Sequence, residues 1–180
     1  MNENYYLTSE ASKSLQKWYQ GLDSSRGDRA RLRRAERPED ILFTNAFFNF
    51  IQQMPEDFPE KTAYSQRMFV KAAIAGIVSH VKENETSGRF AQQLATAVKG
   101  QKAAMSETRF QQLQKSRTTD DFYRRMIRAV RLLNGRVNIV SLANDIIHWH
   151  KEYNQPFDRE PANRLAVRWA TDYYTTLQTA

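Results

Sequence analysis

The sequence predicts an all-α protein, and three observations support that prediction. Apolar residues recur three and four positions apart through most of the chain, as they do on the buried face of a helix. No stretch alternates apolar and polar residues for long enough to indicate a strand. The 180 residues are 41% hydrophobic and include just 6 Gly and 5 Pro. We therefore expect a folded helical bundle of about eight or nine helices.

Capping and proline signals delimit the first helices. Ser9 is positioned to cap an amphipathic first helix. Pro38 opens another helix after an arginine-rich segment, and Met54-Pro55 ends it. Pro59 opens a longer helix, which is apolar almost all round from Met68 to Val81. A helix without a polar face is buried, so we expect this one at the centre of the core.

A change of composition follows the central helix. Residues 82–88 are rich in polar residues and glycine, which predicts a flexible loop. A helix from Arg89 to Lys99 then stops at Gly100. This stop predicts a boundary between two small lobes, residues 1–100 and 101–180, that can also behave as one domain.

Four helices are predicted after residue 100. Ser106 caps a short helix, and Thr119 caps another that ends at Gly135. Asn138 opens the next helix, and the last begins at about Pro161.

The charge of the chain points to an acidic partner, with nucleic acid as the first candidate. The formal net charge is +7, and arginine outnumbers lysine 18 to 9. Two segments hold the excess: residues 26–37 contain six arginines against two acidic residues, and residues 99–136 contain ten cations against three acidic residues. Arginine favours forked contacts to phosphate, although a charged helix face can also be merely solvated.

The helix opened by Thr119 allows a geometric test of that idea. Its apolar residues fall within about a third of the helix circumference and predict a buried face: Phe122, Met126, Ala129, Val130 and Leu133. Arg124, Arg128 and Arg131 fall on the opposite face, and Arg125 lies on the flank. We expect this stripe to be exposed and to bind phosphates. Three preceding cations extend the surface if the two helices meet at a shallow angle: Arg109, Lys115 and Arg117.

Groups for catalysis or metal binding are missing from the sequence. The chain has no cysteine, which excludes disulfides and thiolate metal sites and suits a cytoplasmic protein. His148 and His150 lie on different sides of a helix and cannot share a metal, and Asp145 with His148 is weak evidence for a catalytic pair. No nucleotide-binding or hydrolase motif is present. We expect no enzyme activity, cofactor, small-molecule substrate or membrane span.

Two other functions remain open from the residues alone. Residues 106–115 and 119–134 could form the helix-turn-helix of a transcription factor. The charge order argues against it, because Asp120 and Asp121 occupy the end that would enter the DNA groove. The second alternative is a protein-interaction module whose basic patches meet acidic proteins.

An ordered set of segments resembles a known family. The segments are the early Trp18, the stretch GDRARLRR from Gly27 to Arg34, residues 109–133, the helix from Val137 to Trp149, and WATDYY from Trp169 to Tyr174. On a basic, helical chain of this size they resemble the CasB small subunit of the type I-E CRISPR Cascade. The resemblance covers most of the chain.

This resemblance implies a non-catalytic subunit of an antiviral complex guided by crRNA. Two copies would lie beside the large subunit and the repeated backbone subunit, and their basic surface would follow the target and displaced DNA strands of an R-loop. The guide RNA would supply sequence specificity. The nucleic-acid-binding candidates are Arg29, Arg31, Arg33, Arg34, Arg109, Lys115, Arg117, Arg124, Arg125 and Arg128, to which the stripe adds Arg131.

Overall fold

The computed structural model describes residues 6–60 and 62–179 and confirms the all-α class. Ten α-helices occur in the described residues. They are α1 (Ser9–Gly21), α2 (Arg26–Arg34), α3 (Pro38–Ile41), α4 (Asn45–Gln53), α5 (Tyr64–Val78), α6 (Phe90–Ala95), α7 (Glu107–Gln114), α8 (Thr119–Leu132), α9 (Ile139–Asn154) and α10 (Leu165–Thr179). A 3₁₀ turn at Pro161–Asn163 precedes α10.

The core is built around α5 and α9. Every residue from Val70 to Val78 is buried, which confirms the prediction of a central helix. Helix α5 packs against α3, α8 and α9, while α6 packs against α10. Gly76 of α5 is closely packed, since a Cβ atom there would overlap the hydroxyl of Tyr123 and the side chain of Ile41. In the described part of the chain, no helix combines the length and apolarity that crossing a bilayer requires.

Several helix boundaries differ from the prediction for local reasons. The predicted helix from Pro38 is two helices, because Thr44 caps a new one by accepting a hydrogen bond from the Phe47 amide at 3.2 Å. The central helix begins at Tyr64 instead of Pro59. Helix α6 ends at Ala95 and is shorter than predicted. The N-caps of α1 and α8 are Thr8 and Thr118, each one residue before the predicted cap.

A small sheet occupies part of the predicted loop 82–88. Strand β1 (Glu83–Asn84) pairs in parallel with β2 (Arg136–Val137). Gly135 adopts a φ of 77° just before β2, and its carbonyl accepts the Lys82 amide at 2.8 Å. This pairing fixes the end of α8 against the segment that follows α5.

Residues on both sides of position 100 contribute to one cluster of buried apolar side chains. Helix α6 from the N-terminal side packs on α10, and α5 packs on α9. The division into lobes at residue 100 stays a prediction.

Candidate nucleic-acid interface

Helix α8 presents an apolar face to the core and a cationic face to solvent. The hydroxyl of Thr118 accepts a hydrogen bond from the Asp121 amide at 3.1 Å and fixes the start of the helix. The predicted inner residues are buried, including Phe122, Met126 and Val130 at 0% exposure. The three arginines of the predicted stripe are all exposed: Arg124, Arg128 and Arg131. Their guanidinium groups are therefore accessible to an anion.

A cationic groove runs between α7 and α8. Its volume is about 490 Å³, and Arg109 of α7 lines it together with Arg128 and Arg131 of α8. Helices α7 and α8 pack against each other, and Arg109 lines the groove together with the α8 arginines. Arg125 also lines the groove, but its guanidinium is engaged by Asp121 at 2.8 Å and by the Gln112 carbonyl.

The turn between α7 and α8 carries two further exposed cations. Lys115 is the C-cap of α7, and Arg117 follows two residues later. The residues that line the α7–α8 groove do not include this pair. The structure therefore places them in the turn, outside the groove lining.

The four candidate arginines of α2 divide into two inner and two outer residues. The Arg33 Nε donates a hydrogen bond of 2.7 Å to the buried Ser79 carbonyl, at the end of α5. Burial, and then the nearby Arg29, lower the pKa of Arg33 below its usual value. The Arg29 side chain is 16% exposed and contacts Asp23 at 3.0 Å. Arg31 and Arg34 are exposed.

His80 lies within reach of charged residues from both basic segments, which the sequence did not indicate. Burial, and then the positive charges of Arg131 and Arg33, lower the pKa of His80 to about 4. One of these arginines belongs to α8 and the other to α2. Two segments separated by more than eighty residues in the sequence therefore lie within electrostatic reach of the same histidine.

The aspartate and histidine side chains considered for catalysis and metal binding are buried in the fold. Asp145 is buried and accepts a hydrogen bond from the Trp169 indole at 2.8 Å, and burial raises its pKa to about 7. His148 contacts Glu152 at 3.0 Å. Burial lowers the pKa of His150 to about 4. Among the described residues, no group of three or more His, Cys, Asp and Glu side chains could hold a metal ion.

The three tryptophans belong to the core. Trp18 and Trp169 are each 3% exposed, and Trp149 is 9% exposed. Tyr173 stacks on Phe110 with a centroid distance of 4.0 Å.

The fold and this surface define a basic, all-α protein with an exposed arginine face. The family model of the CRISPR-associated protein Cse2 matches residues 28–174. The chain belongs to this Cse2 family, the CasB subunits of the type I-E CRISPR Cascade. The family resemblance read from the sequence is thereby confirmed. The Cse2 family is not a known enzyme family, and other Cascade components are its expected partners.

A solved structure has the same fold. The crystal structure of CasB from Thermus thermophilus matches with a TM-score of 0.61 and 21% sequence identity. The match covers 93% of this chain and 99% of that chain. None of the curated proteins matches the chain.

Proposed function

We propose that the protein is a non-catalytic small subunit of Cascade that binds nucleic acid and stabilises the R-loop. In this proposal, its arginines contact the backbones of the target and displaced DNA strands, while the crRNA selects the sequence. The observation that supports it most is the exposed arginine face of α8, which continues across the groove to Arg109. The other partners are the large subunit, the repeated backbone subunit and a second copy of this chain.

The arrangement of charge favours contacts to phosphate over contacts to base edges. The exposed arginines lie along the body of α8, whereas its N-terminus carries Asp120 and Asp121. A recognition helix presents its N-terminal residues to the groove, where these carboxylates would meet phosphates. Forked guanidinium groups suit phosphate oxygens, and such contacts carry no sequence information. These features support backbone binding more than a helix-turn-helix regulator.

The candidate residues contribute unequally in this proposal. Arg109, Arg124, Arg128 and Arg131 form the main phosphate-binding surface, with Lys115 and Arg117 at its edge. Arg31 and Arg34 extend it from α2. Arg29, Arg33 and Arg125 have internal partners and chiefly hold the surface in shape.

The test is the salt dependence of binding to mixed-sequence DNA, measured by fluorescence anisotropy with the full chain. Changing both Arg124 and Arg128 to Glu should weaken binding about 10- to 100-fold and flatten the plot of log affinity against log salt. The slope falls by roughly 0.9 for each phosphate that the protein no longer neutralises, because fewer counterions are released. Changing the exposed Lys13 and Lys17 of α1 to Glu is the matched control, with the same change in net charge.

Two results would contradict the proposal. One is equal loss of affinity in the α8 variant and the α1 control, which would indicate an effect of net charge alone. The other is assembly of the α8 variant into Cascade with an R-loop as long-lived as that of the unmodified complex. Recovery of the protein with a single acidic partner and no RNA would favour the protein-interaction module.

A further inference from the structure

We propose that a pocket between α9 and α10 binds one unpaired nucleobase by stacking. We call it the aromatic pocket; its lining includes Trp149, Tyr153, Phe157, Leu165 and Trp169. The proposal rests on the proposed function, since it adds a base site to a protein that binds the backbone. Four observations support it: a stack of rings that ends at the surface, a cavity of suitable size with a second exposed ring, polar side chains of the lining that have partners in the protein, and cations near the lining.

The stack of rings begins in the core and ends at the surface. Phe122 of α8 lies parallel to Trp149, with a centroid distance of 4.1 Å and an interplanar angle of 6°. Trp149 in turn lies nearly parallel to Tyr153, at 5.1 Å and 13°. Trp149 is 9% exposed, but Tyr153 is 50% exposed. A planar base can therefore extend the stack on Tyr153 without any rearrangement of the core.

The pocket has the size and the second wall that such a base requires. Its volume is about 290 Å³. This volume is just below the roughly 300–1,000 Å³ of pockets for drug-sized ligands, and it suits a single ring system. Phe157, in the segment between α9 and α10, is 64% exposed and lines the same pocket. Two exposed rings thus border one cavity.

Three polar side chains of the lining have partners in the protein. Gln114 donates to the Ala166 carbonyl at 3.0 Å, and the Ser116 hydroxyl donates to the Leu113 carbonyl at 2.7 Å. Glu152 accepts the Leu165 amide at 2.9 Å and contacts His148. The pocket therefore offers ring faces more than hydrogen bonds to a base edge. Stacking on such faces tolerates every base, as a surface that does not select sequence requires.

The charge at the rim favours a nucleic-acid strand as the occupant. Lys115 and Arg117 are exposed and flank Ser116 in the sequence, and Ser116 lines the pocket together with one carboxylate, Glu152. The Arg164 guanidinium lies 5.9 Å from the centre of the Phe157 ring. These cations can hold the phosphates that flank a stacked base. They would repel the lysine or arginine side chain of a protein, which is the other occupant that aromatic walls attract.

The experiment uses the full chain and a single-stranded oligonucleotide with one 2-aminopurine, a base whose fluorescence falls on stacking. Binding should quench this fluorescence, and Tyr153→Leu should restore it. Affinity for the single strand should fall about 5- to 150-fold, since stacking on an aromatic side chain contributes roughly 1–3 kcal/mol per base. Affinity for duplex DNA and the salt slope should not change. Tyr153→Phe should behave as the unmodified protein, because it keeps the ring.

The matched control is Tyr64→Leu, which removes a tyrosine that is 88% exposed at the start of α5. The proposal is overturned if Tyr153→Leu and Tyr64→Leu act alike while both variants stay folded by circular dichroism. It is also overturned if an arginine-rich peptide, and not the oligonucleotide, binds in a manner that requires Tyr153. In either case, a salt slope that still depends on Arg124 and Arg128 leaves the proposed function standing.

Discussion

Helices α2 and α8 both carry closely spaced arginines, but they use them differently. In α2, Arg33 donates a hydrogen bond to the carbonyl at the end of α5, and Arg29 forms an ion pair with Asp23. Two of the four candidate arginines of α2 therefore have partners within the protein. In α8, the three arginines of the outer stripe are exposed. The number of arginines in a segment therefore does not reveal how many are available to a ligand.

The difference follows from how each helix is buried. Helix α8 has 14 residues and a continuous apolar face, so its opposite side is left to solvent. Helix α2 has nine residues, and Leu32 is the residue of this helix that is buried. Arg29 and Arg33 reach acceptors outside the helix, Asp23 and the Ser79 carbonyl, as guanidinium groups on long side chains can do.

The largest expected effect separates the exposed arginines of the two regions. Changing Arg109, Arg128 and Arg131 to Gln should lower the affinity for mixed-sequence DNA about 100-fold, because several phosphates are then left without a bound cation. Changing Arg31 and Arg34 to Gln should lower it less than about 10-fold, because α2 offers a smaller cationic surface. Anisotropy titrations at several salt concentrations measure both. The comparison fails if the α2 variant loses more affinity than the α7–α8 variant.

The second prediction concerns stability within α2. Arg33→Met should lower the free energy of unfolding by about 1–3 kcal/mol, because the buried Ser79 carbonyl at the end of α5 loses its donor. Arg34→Met, at an exposed position of the same helix, should change it by less than about 0.5 kcal/mol. Urea unfolding of the two variants is the measurement. Equal stabilities would show that Arg33 is not a structural residue.

The third prediction tests whether charges of both regions act on His80. Its pKa of about 4 is below that of an unfolded chain, so the unfolded state takes up a proton first as the pH falls. The stability contributed by neutral His80 should thus be lost between about pH 6.5 and 4. In an NMR titration, Arg131→Ala should raise the pKa of His80, whereas Arg109→Ala should leave it. An unchanged pKa in the Arg131 variant would place α8 farther from α2.

The smallest effect is expected at Arg125, which lies in the cationic groove but has internal partners. Arg125→Ala should lower the free energy of unfolding by about 0.5 kcal/mol, as partly exposed ion pairs contribute little. Its effect on DNA affinity should be below about twofold and smaller than that of Arg128→Ala. A larger loss of DNA affinity would indicate that Arg125 itself binds phosphate.

The sequence predicted those features that depend on local periodicity. The inner and outer faces of α8 followed from residue spacing, and Ser106 and Asn138 stand as N-caps where they were expected. Strands of two residues leave no pattern, so the β1–β2 pair was missed. The bond from Arg33 to Ser79 spans 46 residues, and no local rule predicts it. The aromatic pocket could not be predicted either, because α9, α10 and the segment between them each contribute lining residues, and local sequence patterns do not show that these elements pack together.

The most direct test is photocrosslinking within the assembled complex. Cascade with this subunit, its crRNA and target DNA carrying photoreactive thiothymidine is irradiated, and the crosslinked peptides are identified by mass spectrometry. We predict crosslinks within residues 107–132, which include α7 and α8, with fewer in residues 26–34 of α2. Crosslinks confined to residues 26–34, or crosslinks to other subunits with none on this chain, would contradict the account.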